Sequence, residues 1–303
     1  MIIDLPSLVT CAYLDVLPYI ALYFEQIYIS QDSIEVLEKA KNSKNNNFAE
    51  SYNISLYQLN NYSYPEREID YSDLDEYIKR IDAFREYDNV HVVGYQLEPT
   101  KIPSQELEEF FQKTKLLESN DILYACRSDM QIMLESYVNR IAVKTLVPDM
   151  CCFEVETLLM KLFYQNKITE ECYFESIFKL LKAKYYCIFF NESFIIYFME
   201  KNNYSNSEET NFLKNLFVST AYKKDWVAII LMNFIIKISL TKTNDENIIR
   251  FSLKWINSIM KERKDFSVEG RYSLLADLYN DNAIINESVR QIIYSIIEED
   301  DAK

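Results

Sequence analysis

Glycine is nearly missing from this chain: there are 2 in 303 residues, alongside 6 prolines and 1 histidine. Dinucleotide-binding and P-loop fingerprints each need several glycines within a short span, so neither can be written here, and a phosphate-cradling NTPase is excluded. So few glycines also leave few positions where φ > 0 is easily adopted. That disfavours many tight hairpins and favours helices joined by Asn- and Asp-rich loops. A single histidine, His91, gives no support to Ser–His or Cys–His triads or to zinc sites with several histidines. It alternates with Val90, Val92 and Val93, the pattern of a packed or edge histidine in a strand.

Positive charge is also short, with 32 Lys+Arg against 47 Asp+Glu and a net charge of -15. A broad basic surface is not expected, and counterion-release binding to long nucleic acid would be weak without a local patch. The six cysteines, Cys11, Cys126, Cys151, Cys152, Cys172 and Cys187, lie in apolar runs without CxxC spacing, as buried thiols of a reducing compartment do. The opening MIIDLPSL has no basic start or small-residue cleavage site, so a cytoplasmic protein is expected. The most apolar stretch, Trp226 to Leu240, is interrupted by Asn233 and Lys237 and falls short of the ~18 uninterrupted apolar residues of a spanning helix. It reads as a buried core helix, and no membrane association is expected.

What is abundant is apolar and aromatic: 49% hydrophobic residues, with 24 Tyr and 18 Phe, enough for one large or two ordinary cored domains. The wealth of Asn, Ile, Lys and Tyr matches the bias of an A+T-rich genome, so single residues of these types are not read as sites.

Along the first half, strand-like and helical stretches alternate. MIID is an apolar run ending on an acid, and Ser7 to Phe24 carries a helical stripe after Pro6. QIYIS (Gln26 to Ser30) reads as strand and Asp32 to Lys41 as helix. After the loop Asn45 to Asn47, a strand is expected at Ile54 to Leu59 and an amphipathic helix over Ser72 to Tyr87, with Leu74, Ile78, Ile81 and Phe84 on one face. Asn89 to Leu97 reads as strand, Ile102 to Leu117 as a helix capped by Ser104, and Asn120 to Asp129 as a further strand ending on an acid. This order predicts an α/β unit with a parallel sheet. From Cys151 onward the pattern becomes nearly all helical. Thr169 and Ser207 start two of these helices, with partial capping signals since Cys172 and Thr210 occupy the box positions. No residue signature repeats at a fixed period, so a helical bundle or extension is expected rather than a solenoid.

The sharpest local feature is acids where strands meet helices: Asp4 after MII and Asp129 after ILYACRS, with Asp121 just ahead. Mg²⁺ and Mn²⁺ prefer hard oxygen ligands, and adjacent parallel strands can project two or three carboxylates into one cleft at their carboxyl ends. Such a pair of ions stabilises both the attacking and the leaving oxygen of a phosphodiester. Against this, Asp4 beside Pro6 and Ser7 serves equally well as a helix cap, and Asp121 and Glu35 fit solvated helix-end acids.

This arrangement resembles the PIN-domain family of metal-dependent nucleases. MIIDLPSLVTCAYLDVL looks like its opening strand, first catalytic aspartate and following helix; IYISQDSIEVLEK looks like its second strand and acid-bearing helix; ILYACRSDMQIML looks like its strand ending in a pair of aspartates. Asn139 to Phe194 resembles the trailing part of bacterial members. The resemblance implies an α/β fold with a PIN-like parallel sheet flanked by helices over 1–200, followed by an all-α helical domain over 201–303. It implies a ribonuclease holding Mg²⁺ or Mn²⁺ through Asp4, Asp129, Asp121 and Glu35, with RNA as substrate. The chain departs from the pattern where Val36 takes the position most naturally aligned with the helix acid, and where Ser128–Asp129 replaces two adjacent acids. Those departures sustain a second expectation, a catalytically silent PIN-like module that binds a protein partner through its helical domain. A third, a wholly helical scaffold, would place helix at Ile27–Ser30, Val90–Leu97 and Ile122–Arg127. The densest basic spots, Lys182, Lys184, Lys223 and Lys224, and Lys261, Arg263 and Lys264, read as solvated helix ends.

Overall fold

The computed structural model describes residues 1–42, 74–94, 109, 119–128, 130–135, 137–185, 188, 190–219, 221–242, 245–263 and 265. The sequence-predicted strand at 54–59 and helix at 102–117 with its Ser104 cap lie outside these residues, apart from Glu109, which is helical. The chain divides into two compact units, Met1–Tyr185 and Tyr186–Lys303.

The first unit is built on a five-stranded parallel sheet: β1 (Ile2–Ile3), β2 (Ile27–Ser30), β3 (Val90–Val93), β4 (Ile132–Met133) and β5 (Cys152–Phe153), in the order β3-β2-β1-β4-β5. Its register pairs Ile3 with Ile29 on one side and with Met133 on the other, and Met133 with Phe153. Interleaved helices are α1 (Leu5–Leu14), α2 (Leu17–Tyr23), α3 (Gln31–Asn42), α4 (Leu74–Arg85), α5 (Ser119–Ser128), α6 (Tyr137–Leu146), α7 (Val155–Tyr164) and α8 (Glu170–Lys182). The sheet is therefore α/β in type. The strand order reverses between β1 and β4, the switch point of an open parallel sheet.

Helices cover both faces. Ile2, Ile132 and Leu134 pack with Ile122 and Ala125 of α5 and Val143 of α6. Successive strand residues face opposite ways, so Met133 meets the other layer, where its Sδ lies 3.9 Å from Cys11 Sγ of α1. Eight of the ten α1 residues are buried, which makes α1 the central helix of that layer.

The single helix predicted over Ser7–Phe24 is two. Asp15 adopts φ 63, closing α1, and Pro18 sits in the first turn of α2, where its missing N–H costs nothing. The two axes meet at 114°. Among the described residues no single helix is long and apolar enough to cross a membrane.

A larger correction concerns Asn120–Asp129, predicted as a strand. It contains α5 instead, and the strand follows later at Ile132–Met133. Ile122 and Ala125, three residues apart, form the buried stripe of a helix rather than alternate faces of a strand. Strands do stand at Ile27–Ser30 and Val90–Val93, which removes the wholly helical scaffold. His91 lies on the edge strand β3, with Nε2 2.7 Å from Gln26 Oε1.

The second unit contains α9 (Glu192–Lys201), α10 (Glu208–Val218), α11 (Lys224–Thr241) and α12 (Glu246–Glu262). Helix α9 packs on α10 and α11, and α12 on α10 and α11. Phe194, Phe198, Phe217 and Phe234 are fully buried, and Trp255 is nearly so, with its Nε1 donating to Thr210 O. The Trp226–Leu240 stretch lies within α11, whose Val227, Ile230, Leu231, Phe234, Ile235 and Ile238 are buried. The cap of α10 is a full box, not a partial one: Ser207 Oγ accepts from Thr210 N at 3.1 Å, and Thr210 Oγ1 accepts from Ser207 N at 2.8 Å. Thr can return the bond as Glu does in the common box. Arg263 is also corrected: it is 2% exposed, not a solvated helix end.

Candidate active site at the carboxyl edge of the sheet

Asp4 follows β1 directly and is fully buried. Its backbone N–H donates to Met133 O of β4 at 3.3 Å, fixing it at the edge beside the switch point. Its Oδ1 accepts from Ser7 N at 2.8 Å, so the carboxylate caps α1 at the helix end where negative charge is favoured. Capping and site roles thus fall on the same side chain.

Glu135 was not foreseen. It follows Leu134 at the end of β4, is 3% exposed, and its Oε1 accepts from Val155 N at 2.8 Å. Glu135 therefore caps α7 from 20 residues away. The residue at the local N-cap position, Glu154, makes no cap bond and pairs instead with Arg140, Nη2 to Oε2 at 2.5 Å. Arg140 Nη1 donates to Leu134 O at 2.7 Å and to Glu135 O at 3.0 Å. One guanidinium thus ties the end of β4 to the start of α7, a use of its rigid fork that lysine cannot copy.

Asp121 lies in the first turn of α5 and is 2% exposed. Helix α5 packs on β1 and β4, and the chain reverses after it, with Met130 N donating to Ala125 O before β4 starts. Its C-terminus is therefore at the amino edge of β4 and its first turn at the carboxyl edge, the edge that carries Asp4 and Glu135.

Cys11 reports on two of these acids. Its thiol is pushed well above the usual range, first by complete burial and then by the negative charges of Glu135 and Asp4. It stays a neutral thiol packed on Met133.

The remaining sequence-predicted site residues fare differently. Glu35 is on the exposed face of α3 and is not drawn into the buried group. Nearby, Ser33 N and Ser33 Oγ both bond Ser30 Oγ, a short turn that starts α3. Asp129 lies outside the described residues, and the acid found at the end of β4 is Glu135. A signal for it was present: the run IMLE mirrors MIID, an apolar stretch closed by an acid. Among the described residues, no three or more His, Cys, Asp and Glu side chains assemble into a group that could hold a metal ion.

The edge thus offers buried hard-oxygen donors at the ends of the two central strands, each oriented by a helix N-terminus. No family model, curated protein or solved structure matches this chain.

Proposed function

We propose that the chain is a PIN-like protein whose α/β unit cleaves RNA phosphodiesters with Mg²⁺ or Mn²⁺, using Asp4 and Glu135. The observation that carries this reading is the placement of two buried carboxylates, Asp4 and Glu135, just after β1 and β4, the strands flanking the switch point. Glu135 stands just after β4, and Glu35 lies on the exposed face of α3. The donor set is all carboxylate, the chemistry that Mg²⁺ and Mn²⁺ prefer. Asp4 and Glu135 would hold the ion, their positions fixed by Ser7 N and Val155 N. A bound ion supplies a lowered water pKa and stabilisation of the oxygens in a displacement. Arg140 keeps the Glu135 backbone in place.

A second reading is a catalytically silent module acting on a protein partner. It is favoured by the capping bonds of Asp4 and Glu135, which give both acids a structural purpose, and by the net charge of -15, which opposes approach to RNA.

Isothermal titration of the full chain with Mn²⁺, beside Asp4→Asn and Glu135→Gln, separates the two. Saturable binding lost in both variants supports the metal site and leads to RNA cleavage assays. No specific binding by the unmodified chain sinks the nuclease and leaves the silent module.

A further inference from the structure

We draw no further inference here: the strongest candidate, the outward face of α11 in the second unit, where Ile229, Met232, Ile236 and Leu240 form an apolar stripe with Ile229 and Leu240 exposed, carries nothing because nothing in the structure shows what covers it.

Discussion

Replacing Arg263 with alanine should unfold the second unit far more easily, because one buried guanidinium satisfies two backbone carbonyls. Arg263 is 2% exposed; its Nη1 donates to Phe217 O at 2.9 Å, its Nη2 to Tyr222 O, and its Nε to Asp265 Oδ1 at 2.7 Å. Phe217 and Tyr222 are themselves buried. Removing the donor leaves two carbonyls unmatched, at about 1–3 kcal/mol each. The Asp265 pairing adds at most about 1 kcal/mol, since that side chain is 40% exposed. A loss of roughly 3–5 kcal/mol follows, the range seen when one partner of a buried charged pair is removed. The assay is urea unfolding followed by tryptophan fluorescence. Both tryptophans of the chain, Trp226 and Trp255, belong to the second unit, so the signal reads that unit alone. With a urea slope of about 1–3 kcal/mol/M, the midpoint should fall by about 1–5 M. Arg263→Lys, which keeps charge but not the fork, should fall in between, and Asp265→Asn should lose less than about 1 kcal/mol. An Arg263→Ala midpoint within about 0.3 M of the unmodified chain would refute the reasoning.

The same pair gives an acid limb. The hydrogen bond from Arg263 holds the Asp265 carboxyl below its usual range, so its contribution is present above about pH 4 and is lost as pH falls through the folded value; Asp265→Asn should abolish that part of the slope in fluorescence-detected unfolding. In the first unit, Asp4→Ala should cost about 1–2 kcal/mol by removing the α1 cap, whereas Asp4→Asn should cost a few tenths, both read by far-UV dichroism in urea; equal effects would deny the capping role. At the alkaline end, burial, and then Glu156 and Tyr164, raise Tyr173 to about 12. The folded state keeps its proton while the unfolded chain loses one near pH 10, so stability should drop between about pH 10 and 12. Tyr173→Phe should flatten that drop, and an unchanged alkaline limb would count against it.

Much of the helical stretch that follows β5 could be read directly from the residues, since long helices carry enough turns for their stripes and caps to show. Thr169 accepts from Cys172 N and Ser207 from Thr210 N where capping residues precede helical stripes. Strands β2 and β3 were legible for the same reason, being four residues each and rich in Ile and Val. By contrast β1, β4 and β5 are two residues long, too short to show any alternation. With β4 so brief, the longer apolar run before it attracted the strand assignment, although Ser119, Asn120 and Asp121 are residues that favour a helix start.

Composition alone settled that glycine-rich phosphate loops and multi-histidine sites are absent, because those chemistries require residue types the chain does not supply in number. Local order settled the alternation of strand and helix, because neighbouring residues fix the periodicity that an element can bury. Which acids are buried at the sheet edge, and which residues bond across the chain, was decided only by the tertiary structure. Glu135 caps a helix 20 residues onward, Arg140 bridges the end of one strand to the start of α7, and Arg263 reaches Phe217 across 46 residues. Hydrogen bonds between such distant residues depend on the strand order and the packing of whole helices, and neither leaves a mark on the spacing of residues along the chain.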